Sequence, residues 1–316
     1  MSDITAKNKL PVTEKRKFTK LKRFMPLYLI FLPVLIYYVI FAYAPMGGII
    51  IAFKDYTFRG GIFGSDWAGF KHFERFLTNG DFWLVLKNTV VLAGLRILIG
   101  FPAPIIFALM LNELRYTRFK RVIQTISYLP HFISWVVVYG LIYNFFSTSG
   151  FINKAMGLFG IDSAINFLGL PQYFRPLFVG SAIWKEMGWG AIVYLAALAS
   201  VDAELYEAAM IDGANRLKQL WHITLPGIRN VISIMFVLAM GGLLSVSFEQ
   251  VLVMINPTVS SVAEVIDYYI YRMGLLQANN FSYATAVGLF RSIIALILVL
   301  VTNWGARKMG EEGAIW

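Results

Sequence analysis

Residues 27–46 read LYLIFLPVLIYYVIFAYAPM, without one Asp, Glu, Lys or Arg. A helix rising about 1.5 Å per residue over that length crosses the ~30 Å hydrocarbon core of a bilayer. The run is longer than the ~7–15 apolar residues of a cleaved leader. Ala42 and Ala44 form an A-x-A pattern, but Pro45 follows, and proline is a poor first residue for a mature chain. The stretch therefore reads as an uncleaved first membrane span. A basic tail precedes it: Lys7, Lys9, Lys15, Arg16, Lys17, Lys20, Lys22 and Arg23. Basic residues gather at the cytoplasmic ends of spans, so the N-terminus is expected inside.

Working outward, five more apolar stretches qualify, at about 90–111, 122–146, 176–200, 228–248 and 284–304. Arg96 interrupts the second, and Pro102 and Pro104 should bend it. Pro130 lies a third of the way along the third. The fourth is the weakest, because it holds Lys185 and Glu186; losing it would invert everything after it. The sixth contains Arg291. With the N-terminus inside, Arg115, Arg118, Lys120, Arg121, Arg216, Lys218, Arg307 and Lys308 join the tail on the inner side. They outnumber the outer Lys54, Arg59, Lys71, Arg75, Lys154, Arg175 and Arg272. Six spans with both termini cytoplasmic satisfy this asymmetry. The loops at 49–82 and 147–175 read as ordered outer caps carrying short interfacial helices, such as one near 152–159. No internal repeat or low-complexity tract is apparent.

Composition agrees. Of 316 residues, 58% are hydrophobic and 15% charged, against about 45–50% and about 25% in soluble domains. The mean hydropathy is +0.64. These values exclude a disordered chain, a coiled coil and an ordinary soluble enzyme. Length alone would suggest two soluble domains, but one polytopic domain fits better. There is no cysteine, hence no disulfide, thiolate metal site or cysteine nucleophile. A net charge of +10 would suggest nucleic acid in a soluble protein; here the basic flanks account for it, and no nucleic-acid partner is expected.

The most informative loop lies between the fourth and fifth spans. It reads DAELYEAAMIDGANR over 202–216 and reaches WHITLP at 221–226. Good helix formers fill 203–211. Gly213, without a Cβ, suits a sharp reversal. A second helix fits 217–224, and Pro226 starts a new element. Ala208 and Ala209 allow another surface to come close. Glu207 and Asp212 can cap amides or meet cations on a partner, and a short helix laid in a groove is a common recognition mode. The plainer reading is a helical connector that satisfies only its own backbone.

Glu207-Ala208-Ala209, Asp212-Gly213-Ala214 and, twelve residues after Gly213, Leu225-Pro226 resemble the E-A-A…G…L-P signature of ABC importer permeases. The resemblance covers nearly the whole chain. Met46-Gly47-Gly48-Ile49, the run IAFKDY at 51–56, QTISYLPHFISW at 124–135 and WKEMGWG at 184–190 are similar to the LplB-like, polysaccharide-type branch of the carbohydrate-uptake permeases. Phe248-Glu249-Gln250 and the GEEG at 310–313 fit as well. The resemblance implies a type I importer transmembrane domain in a bacterial plasma membrane. It implies a heterodimer with a second homologous permease, two ATPase subunits, and an extracellular solute-binding protein that delivers an oligosaccharide. In that family the signature loop is the coupling helix docking on the ATPase. This assigns Glu207, Ala208, Ala209, Asp212, Gly213, Leu225 and Pro226 to ATPase coupling.

The chain has no G-x-x-x-x-G-K-S/T loop, so ATP and Mg are expected on the partner ATPase and no cofactor on this chain. No H-E-x-x-H or G-x-S-x-G occurs, and His72, His131 and His222 lie in separate segments. They read as hydrogen-bonded or interfacial side chains rather than metal ligands, and the chain as a non-catalytic subunit.

A charge at mid-bilayer costs ~2.5–3.5 kcal/mol on insertion scales, so charged residues in spans face protein or water. Arg96, Lys185, Glu186 and Arg291 are therefore candidates for a substrate path; structural pairing or snorkelling is the competing reading. Lys185 and Glu186 are sequence neighbours about 100° apart on a helix, so other partners are expected for each. Trp184, Trp189, Tyr143, Asn144 and Glu249 have the mixed aromatic and polar chemistry that suits a sugar. Trp and Tyr also form membrane-interface belts. The basic tail either contacts anionic lipids or touches the ATPase.

The organisation expected is an all-α membrane protein: a basic cytoplasmic tail at 1–24, a six-span permease domain at 25–308 with its coupling loop at about 202–227, and a cytoplasmic tail at 309–316. Its function would be ATP-driven, binding-protein-dependent oligosaccharide import by alternating access. The in-span cations hint at acidic, polysaccharide-derived substrates. A stand-alone secondary transporter or channel is the alternative; the absence of a repeat argues against it. A membrane anchor that moves nothing fits the charged spans poorly.

Overall fold

The structure is a computed structural model describing residues 12–161, 164–243, 247–277 and 280–309. Lys7 and Lys9 of the basic tail, and the GEEG segment at 310–313, lie outside the described residues. The chain is helical almost throughout. Helix α1 (Val12–Tyr38) contains Pro26 and Pro33. It continues through a π-helical stretch, Val39–Tyr43, and a 3-10 segment, Gly47–Phe53. Phe24–Phe53 is long and apolar enough to cross a membrane, and its most apolar window is not buried against the chain.

The second candidate span, Asp81–Asn112, joins α2 (Asp81–Leu95) to α3 (Pro102–Asn112) through a π-helical stretch, Arg96–Gly100. The expected proline bend is absorbed there, with Pro102 in the first turn of α3, where its missing N–H matters least. The third stretch departs further from expectation. Instead of one helix over 122–146, α4 (Thr117–Tyr128) ends in a 3-10 turn, Leu129–Phe132, and α5 (Trp135–Phe146) starts anew. Pro130 has no N–H for the carbonyl of Ile126. Ile133 turns extended, and the Ser134 hydroxyl caps α5 by accepting from Val137 N at 3.4 Å. The candidate span here is Trp135–Leu158.

The fourth stretch is α6 (Pro171–Ala199), followed by α7 (Ala203–Ile211) after a 68° bend. α8 (Arg216–Gln219) opens a run to Gly227, which bends by 61° into α9 (Arg229–Gly241). The fifth stretch was expected to be helical over 228–248; α9 instead ends at Gly241, and α10 (Phe248–Met254) is separate. α11 (Ile266–Tyr271) and α12 (Phe281–Met309) complete the chain. Among the described residues, four helices cross a membrane by length and composition, or up to six if each bent pair is one span.

One feature departs from an all-α reading. Strands β1 (Lys54–Asp55) and β2 (Asp66–Trp67) pair antiparallel, Lys54 opposite Trp67. Gly61, at φ +61°, turns the chain between them. Phe53 stacks on Trp67 at 5.9 Å. Asp55 bonds Lys71 at 2.8 Å, and that bond, with His72 nearby, holds its carboxyl below the usual range. The short helices expected in the two outer loops are present as Lys71–Thr78 and Phe151–Leu158, the second lying at the end of the candidate span Trp135–Leu158. Buried Asn153 ties the second cap down. It donates to the carbonyls of Ser147 and Ile165 and accepts from Ile165 N, each at 2.9 Å.

α6 is the central pillar. Its Phe174, Phe178 and Ala182 pack with Leu92, Trp135 and Val251 in one core, and its Ala191, Tyr194 and Leu198 pack with Ile105 and Ile228 in another. Small residues let backbones approach closely in membrane bundles. A Cβ on Gly188 would lie 2.1 Å from the Ser127 carbonyl oxygen, and one on Gly190 would lie 3.1 Å from Pro104.

Candidate functional site

The loop between α6 and α9 is built as an elbow. Asp202 caps α7, its carboxylate accepting from Glu204 N at 2.9 Å. The far end closes as a Schellman motif: Ala214 N donates to Ala209 O at 2.8 Å, and Gly213 N to Met210 O at 3.1 Å. Gly213 adopts φ +75°, which other residues reach only with strain. Ala209 and Ala214 occupy the two positions where this motif usually makes its small apolar contact. Asn215 then caps α8, accepting from Lys218 N at 2.9 Å. Tyr206 OH lies 3.0 Å from Thr224 Oγ1, fastening α7 to the return limb. A Cβ on Gly227 would meet Val201 at 2.9 Å, so the limbs close tightly at their base.

The elbow faces away from its own chain. Glu207, Ala208, Asp212, Gly213 and Pro226 are exposed, while Ala209 and Leu225 are half-buried. Met210 is 59% and Ile211 88% exposed. Among the described residues the side chains of Glu207 and Asp212 make no hydrogen bond or ion pair. A face that sets unpaired carboxylates beside exposed apolar side chains has the composition of a docking surface. One exposed ion pair, Arg216 to Glu113 at 2.8 Å, ties it to the end of α3.

Two of the in-span charges, Lys185 and Glu186, meet at the break between α4 and α5. Lys185 Nζ donates to the His131 carbonyl at 2.6 Å and lies 3.5 Å from Glu186 Oε1. Glu186 Oε2 is 2.7 Å from His131 Nδ1. The His131 ring stacks on Trp189 at 4.6 Å, and Lys185 lies over the Trp135 ring at 5.7 Å. Each of Lys185 and Glu186 finds in His131 the other partner expected of it, but the two also pair with each other, which their divergence on the helix did not suggest. Their Cβ vectors diverge, but both long side chains reach the same helix break and their head groups come together there.

Arg96, Glu186 and Trp189 line a cavity of about 400 Å³, together with Phe101, Pro104 and Tyr194. Trp184 belongs to a different cavity, with Val138 and Phe145. Arg291 pairs with Asp267 of α11 in a third groove. Tyr143, Asn144 and Glu249 are exposed and do not line the Arg96 cavity. Of nine path candidates, the structure thus brings together Arg96, Lys185, Glu186 and Trp189. Sequence reasoning missed that His131 is the hub of the last three. The usable signal was its place beside Pro130, where a broken helix frees a backbone carbonyl for Lys185.

Comparison with known proteins gives the following. Residues 100–310 match the family described as binding-protein-dependent transport system inner membrane component. The chain is 49% identical over 300 residues to the polygalacturonan/rhamnogalacturonan transport system permease protein YteP of Bacillus subtilis (strain 168), covering 95% of this chain and 93% of that protein. It is 47% identical over 319 residues to Protein LplB of the same organism, covering 99% of each. A crystal structure of a bacterial ABC transporter involved in the import of the acidic polysaccharide alginate contains a chain with TM-score 0.85 and 41% identity, over 93% of this chain and 99% of that one. A similar match, TM-score 0.85 and 41% identity over 93% and 98%, comes from the alginate transporter in complex with an alginate pentasaccharide-bound periplasmic protein.

Proposed function

The chain belongs to the binding-protein-dependent transport system inner membrane components, and on that premise we propose the following working assembly. The protein is the membrane permease of an ABC importer for oligosaccharides. Its cargo is an acidic oligosaccharide of the galacturonan kind, handed over by an extracellular solute-binding protein. It pairs with a second, homologous permease, both termini lie in the cytoplasm, and two ATPase subunits bind ATP and Mg. This chain does no bond chemistry itself.

The observation that carries the coupling part of this reading is the elbow around Gly213. Its two limbs continue α6 and α9 through bends of 68° and 61°, so a push on it is delivered to two spans at once. In this mechanism ATP closes the ATPase pair. The groove between them moves α7, and the spans rock until the pathway faces outward. Hydrolysis returns it. Glu207 and Asp212, unpaired among the described residues, meet cations of the ATPase groove.

Purification of the tagged chain from native membranes in mild detergent, with mass spectrometry of what accompanies it, tests the assembly. A second six-span permease and an ATPase are the expected companions. A homo-oligomer recovered repeatedly without an ATPase overturns it. Within the assembled importer, Glu207→Lys is expected to lower binding-protein-stimulated ATP turnover about tenfold, as a misplaced charge at a docking face costs on the order of 1.4 kcal/mol or more. Unchanged stimulation removes Glu207 from the contact.

A further inference from the structure

We infer that Arg96 is the residue through which the membrane pathway selects saccharides that carry carboxylates; this rests on the oligosaccharide-importer reading above. Lys185 and Glu186 are satisfied by each other and by His131. Arg291 is paired with Asp267. Arg96 makes no hydrogen bond or ion pair among the described residues, although it sits in a span. The one carboxylate among the described residues lining its cavity, Glu186, is already held by His131 and Lys185. A guanidinium in a membrane span needs an anion or water, and this one opens onto a cavity.

The backbone around it is shaped for a ligand. Arg96 begins a π-helical turn, closed by Phe101 N donating to Arg96 O at 2.9 Å. Such turns often mark functional sites. Pro102 and Pro104 follow, so the carbonyls of Leu98 and Gly100 lose their usual N–H donors, and Gly100 lines the same cavity. The cavity therefore offers a fork of donors for a carboxylate, the Gly100 backbone as an acceptor for a hydroxyl, and in Trp189 an indole for the C–H face of a sugar ring. Its volume of about 400 Å³ lies within the range of small-ligand cavities. A uronosyl unit combines all three features; a neutral hexosyl unit leaves the guanidinium only the field of Glu186, which His131 and Lys185 share.

The test is transport by the complete importer reconstituted in vesicles. Oligogalacturonates are compared with the same chains partially methyl-esterified, for wild type, Arg96→Gln and Arg96→Lys. Expected is a fall of about tenfold in the acid-to-ester uptake ratio for Arg96→Gln, with Arg96→Lys in between. Because the readout is a ratio, a uniform loss of folded importer cancels. An unchanged ratio overturns the inference, and so does equal loss of both substrates in both variants, which would mean that the anion comes from the second permease. Failure of the wild type to move either saccharide overturns the importer reading as well, and is distinct from both.

Discussion

Replacing Gly213 with proline is expected to lower saccharide uptake by at least about a hundredfold while the chain still reaches the membrane. Gly213 holds φ at +75°, and the pyrrolidine ring locks φ near −65°. The chain beyond 213 would leave α7 in another direction. Proline also has no N–H, so the bond to the Met210 carbonyl is lost, and the bond from Ala214 to Ala209 cannot survive the new geometry. Each cap bond contributes about 1 kcal/mol and forced backbone about 1–3 kcal/mol. A few kcal/mol against the productive elbow corresponds to about two decades of population. Gly213→Ala keeps its N–H and suffers only the αL strain, so a milder loss, by a factor of a few, is expected. The spans that insert the chain lie elsewhere, so membrane content should change little. Uptake of labelled oligogalacturonate, normalised to immunoblotted chain in the membrane, measures this. Normal uptake by the proline variant would remove the elbow from the coupling path.

The turn of the elbow was legible from residue order because the groups that cap its helices are local. Asp202, Gly213 and Asn215 act on backbone groups within a few positions of themselves. Apolar runs announced the spans for a similar reason: a bilayer demands length and hydropathy of each segment separately. Breaks were harder. Pro130 was visible, yet a proline inside a span is often tolerated. What makes this one a break is that Lys185 and Glu186, 54 and 55 residues beyond His131, take up its carbonyl and its imidazole. The pairing of Lys185 with Glu186 was hidden by the helix geometry that keeps neighbours apart. The small hairpin of β1 and β2 needs Phe53 to stack on Trp67, a contact no periodicity announces. Gly188 and Gly190 entered the sequence reading as part of the WKEMGWG run at 184–190. They are places where α6 runs unbroken against α4 and α3.

That close approach sets the second large effect. Gly188→Val is expected to lower the detergent melting temperature by roughly 10 °C and to abolish transport. A Cβ at 188 would sit 2.1 Å from the Ser127 oxygen and 2.5 Å from its carbonyl carbon. These are backbone atoms of α4, so no rotamer change relieves them, and α6 must move outward. Overpacking costs about 1–3 kcal/mol where side chains can adjust, and here little can. The shift also reaches the neighbouring turn. Lys185 would lose its 2.6 Å bond to His131 O and Glu186 its 2.7 Å bond to the imidazole, and hydrogen bonds to charged groups contribute about 1.5–3 kcal/mol each. At about 2–4 °C per kcal/mol for a chain near this size, the loss exceeds ordinary surface substitutions several times over. Gly180→Ala is the control on the same helix, since a Cβ there meets nothing within 4 Å. It should melt within about 2 °C of wild type, because an open helical position gains propensity from alanine. If Gly188→Val melted with that control, α4 and α6 would not be in backbone contact, and the His131–Glu186–Lys185 cluster that depends on their contact would have to be abandoned with it.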